Sequence, residues 1–193
     1  MTDRAEAPRL LLGVGGGIAA FKAAVLASRL VQDGYGVRVA MSGRAAEYVG
    51  SVTFAGLTGR TVVQSTTQID PDGTAPHIEA TRTAGVLVVA PTTADLLARM
   101  AAGLCDDPVS LAVVACRCPI LVCPAMNDAM WEAPAVQANL ETLRARGVEI
   151  LGPESGWLAE GYRAVGGGGG AGTKKPTNTR EEGTAGKKNT KER

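Results

Sequence analysis

RLLLGVGGGIAAFKAAVLASRLVQDGYGVRVAM, residues Arg9 to Met41, decides the architecture. Arg9 to Val14 is a short apolar run, and Gly15-Gly16-Gly17 breaks it. From Ile18 to about Asp33 the apolar residues recur at helical spacing, with Ile18, Phe21, Val25 and Leu26 on one face. Gly34-Tyr35-Gly36 stops that helix, and Val37 to Met41 is again strand-like. A strand, a glycine turn, a helix and a second strand open a parallel α/β sheet.

The alternation continues outward from there. Gly85 to Ala90 (GVLVVA) and Pro119 to Cys123 (PILVC) are apolar throughout, as strands are when helices cover both faces of a sheet. Helices are expected around Asp95 to Gly103, Pro108 to Cys116 and Ala135 to Arg146, and a last strand at Val148 to Leu151. The segment Pro124 to Trp131 reads as a loop. Five strands alternating with helices predict a three-layer, doubly wound parallel sheet. Beyond Val165 the chain turns to Gly, Lys, Thr and Glu without apolar periodicity. Residues 1–165 are therefore expected to form the folded domain, and 166–193 a disordered tail.

Composition narrows the function classes. Hydrophobic residues make up 45% and charged residues 20%, ordinary for a soluble domain. No apolar run reaches the roughly 18 residues a membrane helix needs, and no signal-peptide pattern opens the chain. The reading is a cytoplasmic protein without a membrane partner. Met1 to Val165 holds 13 basic against 16 acidic residues, so there is no case for a nucleic-acid groove. Cys105, Cys116, Cys118 and Cys123 lack paired zinc spacing, and His77 is the only histidine. Buried, reduced thiols and no metal are expected.

Ligands of open parallel sheets bind beyond the carboxyl ends of the strands, and four segments fall there. Gly15-Gly16-Gly17 opens a helix whose free N–H groups and dipole suit an anion, although such turns also serve packing. Ser42 ends the second strand, as a phosphate or ribose partner or as a plain helix cap. Pro91-Thr92-Thr93-Ala94 brings two hydroxyls to a helix start. Pro124 to Trp131 (PAMNDAMW) places Asn127, Met126, Met130 and Trp131 in a loop, where such residues usually pack or bind.

Together these segments resemble the homo-oligomeric flavin-containing cysteine decarboxylases. The resemblance runs from Leu10 to about Gly161. Its carriers are GVGGGIAAFK (Gly13 to Lys22), His77-Ile78-Glu79, APTTADLLARMAAGLCDD (Ala90 to Asp107) and the P-x-M-N-x-x-M-W pattern of PAMNDAMW. It implies a Rossmann-like flavoprotein fold with flavin contacts at Gly15, Gly16, Gly17, Ser42, Thr92, Thr93, Ala94 and Ala125. It implies substrate contacts at Asn127 and Met130 and an active-site role for His77, in a trimer or a dodecamer of four trimers. In that family a hydride leaves the cysteine β-carbon for the flavin, and carbon dioxide loss then gives an enethiol. An imidazole suits the accompanying proton transfer at neutral pH.

Two departures from the family bear on substrate and cofactor. Glu160, in Trp157-Leu158-Ala159-Glu160-Gly161, stands where coenzyme A decarboxylases of the family carry a cysteine in L-A-C-G. A carboxylate cannot be oxidised as that thiol can, so the reaction is expected to stop at the enethiol. That favours a peptidyl-cysteine decarboxylase of the lantibiotic type, forming an aminovinyl-cysteine precursor from a Cys-terminated peptide. Phosphopantothenoylcysteine decarboxylation for coenzyme A is the alternative. Asp95-Leu96 replaces the family's Asn-Thr beside the expected phosphate. An anion there opposes a terminal phosphate and leaves both FMN and FAD open.

Two further classes are weaker. A flavin prenyltransferase wants basic residues around a second phosphate, and PAMNDAMW has none. A non-catalytic flavin-binding regulator of this kind carries an acidic tail, whereas this tail is basic.

Overall fold

The computed structural model describes residues 9–152, 154–157 and 163–167. Five strands form one parallel sheet: β1 (Arg9–Val14), β2 (Gly36–Met41), β3 (Val86–Thr92), β4 (Ile120–Pro124) and β5 (Glu149–Ile150). Their order is β2-β1-β3-β4-β5, with Leu12 paired to Val39 on one side and Val88 on the other. The chain moves first to one side of β1 and then to the other, so a switch point lies between β1 and β3. This is the order of flavodoxin-like sheets, which hold ligands at that point.

Helices α1 (Ala20–Gln32) and α2 (Ser51–Thr58) enclose one core with Leu12, Val14, Val37, Val39, Met41 and Phe54. The other core lies beneath α3 (Pro76–Thr83), α4 (Ala94–Ala102), α5 (Pro108–Ala115) and α7 (Pro134–Ala145). It holds Leu11, Leu87, Val89, Leu97, Met100, Val122 and Leu140. The doubly wound sheet read from the sequence is the sheet observed.

Local chemistry sets the helix ends. Thr93 caps α4 by accepting from the Leu96 N–H, and Gly103, at φ +72°, ends it in the left-handed region that favours glycine. Asp107 caps α5, and proline opens α3, α5 and α7.

Several expectations are refined. Of the apolar face read on α1, Phe21 and Val25 are 56% and 46% exposed, Ile18 just ahead of the helix is 63% exposed, and only Leu26 packs against the core. The buried face is Ala20, Ala23 and Ala27, displaced by two residues and so by about 200° around the helix. Both stripes have helical spacing, and the small one lets the helix lie close to the sheet. The segment Pro124 to Trp131 is not all loop, because α6 (Asp128–Glu132) begins inside it. α2 and α3 were not foreseen as helices. A hairpin of β6 (Glu154–Trp157) and β7 (Arg163–Gly167) follows the sheet, and β7 lies against α6. It runs two residues past the expected boundary at Val165, and the rest of the expected tail lies outside the described residues. No described helix is long and apolar enough to cross a membrane.

Phe54 is fully buried between α2 and the sheet. Phe54→Ala should cost about 3–5 kcal/mol of unfolding free energy, read from the shift in denaturant midpoint at unchanged slope. An unshifted midpoint would remove Phe54 from the core described above.

Candidate active site

The end of β1 and the end of β3 meet directly. The Gly15 N–H donates to Pro91 O at 2.9 Å. A Cβ on Gly15 would lie 2.5 Å from that same carbonyl, so no other residue fits without moving β3. Gly16 is equally confined, because a Cβ there would sit 2.5 Å from Arg44 Cβ and 2.7 Å from its carbonyl carbon. Gly17 approaches Thr93 Cγ2, at 3.3 Å from an added Cβ. The glycine turn is therefore pressed between the β2 loop and the start of α4, which bears on its packing role. Its bare backbone leads into the first turn of α1.

The other expected positions converge on the same rim. The Ser42 N–H donates to Val14 O at 2.9 Å, and the Ala125 N–H donates to Thr92 O at 2.9 Å. Ser42 is 8% exposed, and no hydrogen bond is formed by its hydroxyl among the described residues. Thr92 behaves differently. It is fully buried, and its hydroxyl donates to Val89 O at 2.8 Å, so only its backbone serves the rim. Thr93 and Ala94 are half-buried at the start of α4. Asn127 caps α6, its Oδ1 accepting from the Ala129 N–H at 2.9 Å. That bond fixes the amide with its oxygen inward and its NH2 as the donor end. Met130 is 47% exposed on α6, whereas Met126 and Trp131 pack on the α3/α5/α7 core.

His77 stands apart. It lies in the first turn of α3, and no hydrogen bond joins it to the glycine turn, β3 or α6 among the described residues. Its Nδ1 is buried without a partner. A buried ring nitrogen without a partner is costly unless something outside this chain's described atoms reaches it. Glu160 falls in sequence between β6 and β7, outside the described residues.

Asp107 was missed as a rim residue. Its Oδ1 accepts from the Val109 N–H at 2.8 Å, while its Oδ2 accepts from the Gly43 N–H at 3.0 Å. One carboxylate thus caps α5 and ties the loop after Ser42 to it. The Asp-Pro pair at 107–108 marked the helix start in the sequence, but nothing local revealed the second bond.

The charge argument at Asp95 is met by its pointing away. Its side chain is 71% exposed and pairs with Arg99 at 3.0 Å, and Arg99 also holds Asp106 at 2.9 Å. The carboxylate is turned outward and held by Arg99, which it shares with Asp106, so the reason for preferring a diester and hence FAD falls away. The thiols divide as well: Cys105 is exposed, against expectation, and the other three are half-buried, with no disulfide. Burial pushes Cys123, near the end of β4, up to about 11. The described residues contain no cluster of three or more metal-ligating side chains.

A model of the flavoprotein family matches residues 2–174. The chain belongs to that family, among the flavin-containing cysteine decarboxylases. The bifunctional coenzyme A biosynthesis protein CoaBC of Mycobacterium tuberculosis is 42% identical over 160 residues, which is 82% of this chain and 38% of that protein. The chain thus spans about two fifths of that relative's length. Among solved structures, the FMN-dependent cysteine decarboxylase TvaF from thioviridamide biosynthesis is 32% identical with a TM-score of 0.71, covering 76% of this chain and 90% of its own. A PPC decarboxylase mutant complexed with pantothenoylaminoethenethiol is 28% identical with a TM-score of 0.74, covering 84% and 91%. The family and fold read from the motifs are therefore met, and the relatives named for a flavin are named for FMN.

The rim can be tested at two points. Gly16→Ala should displace the Arg44 loop and leave the purified protein with far less flavin, measured by absorbance per folded chain; full loading would show that the turn tolerates a side chain. Asp107→Ala should lose about 0.5–2 kcal/mol of stability from the cap and weaken flavin retention, with Asp107→Asn recovering most of the stability. An unchanged melting temperature in Asp107→Ala would refute the tie.

Proposed function

We propose that the chain is an FMN-dependent decarboxylase of a cysteine-derived carboxylate, with phosphopantothenoylcysteine as its first substrate. The carrying observation is the meeting of three segments at the β1/β3 switch point: the glycine turn, the β3 end and the Ala125–Met130 segment. The 42% identity to CoaBC favours this substrate over a peptide.

The residues present suit a flavin with a terminal phosphate. Gly16, Gly17 and the first turn of α1 offer N–H groups and a favourable dipole, while Ser42 and Thr93 add hydroxyls. Gly15, Thr92, Ala94 and Ala125 would contribute through backbone and shape. The bound flavin supplies a hydride acceptor, which a cysteine carboxylate lacks.

The protein's own part is positioning and proton handling. The NH2 end of Asn127 can hold the substrate carboxylate without a fixed cation that would stabilise it against loss. Met130 would pack along the thiol-bearing carbon. His77 would take or orient the thiol proton. In a homo-oligomer it would serve a flavin held chiefly by a neighbour. Ile18, just ahead of α1, and Phe21 and Val25 on it form an exposed apolar stripe suited to such packing.

A second reading keeps the same chemistry on a Cys-terminated precursor peptide. Glu160 in place of the family's late cysteine favours it, and so does the likeness to TvaF.

Both substrates should be offered to the flavin-loaded protein and the products weighed. Phosphopantothenoylcysteine should lose carbon dioxide plus two hydrogens, the two electrons passing through the flavin to dissolved oxygen, because Glu160 cannot return them. His77→Asn should slow turnover by about 10²–10⁴ with flavin still bound. Turnover of the peptide alone would transfer the assignment to the second reading. Turnover of neither by loaded oligomer would leave a flavin-binding regulator.

A further inference from the structure

At the end of the sheet opposite the flavin rim, a cavity of about 90 Å³ lies between the starts of β1 and β2 and the last turn of α3. By volume it has room for several water molecules, and so for a small ion. Its lining includes Arg9, Arg38, Arg60 and Glu79.

Arg38 is the inner group, with its side chain only 13% exposed. It pairs with Glu79 and, at 3.8 Å, with Asp70, but its Nε is buried without any hydrogen-bond partner. Neither Arg9 nor Arg60 forms an ion pair among the described residues. Guanidinium groups do not deprotonate in proteins. Counting Arg9, Arg38 and Arg60 against Glu79 and Asp70, the cavity and its rim keep one net positive charge, in a chain whose first 165 residues carry more acids than bases.

We propose that this cavity is an anion site for a tetrahedral oxyanion of the phosphate class, either free or at the end of a small metabolite. Arginine forks match such oxygens in pairs. Arg38 lines the cavity from within and would hold the ion there by charge, and Arg9 and Arg60 would close over it from the surface. The site lies at the opposite sheet end from the proposed cofactor, so it stands or falls independently of the decarboxylase reading.

Titration of the flavin-loaded protein tests it, since loading keeps phosphate out of the flavin's own site. Inorganic phosphate and glycerol phosphate are added at constant ionic strength, with chloride as the control, and binding is followed by calorimetry and melting temperature. Saturable binding of one phosphate per chain is expected, weaker by about tenfold for each surface arginine removed in Arg9→Ala and Arg60→Ala. The preferred probe tells a free ion from a metabolite. Arg38→Gln should abolish binding; should that variant not fold, the Arg9→Ala/Arg60→Ala double variant leaves the buried pair intact and carries the test. A response equal to chloride, or undiminished affinity in the double variant, would overturn the site.

Discussion

The contact on which the rest depends is the 2.9 Å hydrogen bond from the Gly15 N–H to Pro91 O. It joins two strands at the point where their connections diverge, so the sheet is closed at its middle while a crevice opens just beyond. There is no room for a Cβ at Gly15, where Pro91 O lies in the way, or at Gly16, where Arg44 does, so bare backbone is forced onto this turn. The proposed anion contact would have to use N–H groups beyond Gly15, whose own is already given to Pro91 O.

A second constraint is the balance of the two helical layers. α1 approaches the sheet through three alanines, and its larger apolar residues face outward. A helix that buried Ile18, Phe21 and Val25 would stand further from β1 and β3 and move its N-terminus away from the glycine turn. Close packing thus aims the helix start at the rim, and it leaves an apolar stripe for a partner surface to cover. The site and the proposed assembly follow from one choice of small residues.

What could be read from the sequence was whatever repeats or stands in runs. The unbroken apolar stretches at Val86–Thr92 and Ile120–Pro124 marked central strands, and the glycine turn and PAMNDAMW marked the rim. Periodicity failed where two stripes shared it, as in α1. It also failed for α2, whose exposed Val52 and buried Thr58 blur any polar face, the threonine hydroxyl being turned back to Phe54 O. The Asp107 tie to Gly43 and the Arg38 pair with Glu79 span 64 and 41 residues. No local pattern encodes such partners, so they had to come from the fold.

Chemistry at the rim depends on where a side chain points, which residue type alone does not state. Thr92 looked like a phosphate hydroxyl and is instead spent on Val89 O. Asp95 looked like a repelling charge and is instead spent on Arg99. Cys123, near the end of β4, carries a thiol that burial pushes up to about 11, so at neutral pH it stays protonated and is a poor nucleophile. A thiolate needed in the crevice would then have to come from the substrate, and the protein would need a base rather than a thiol of its own. His77 is the one imidazole available for that purpose. Its Nδ1 is buried without a partner among the described residues, a cost the fold carries at this position.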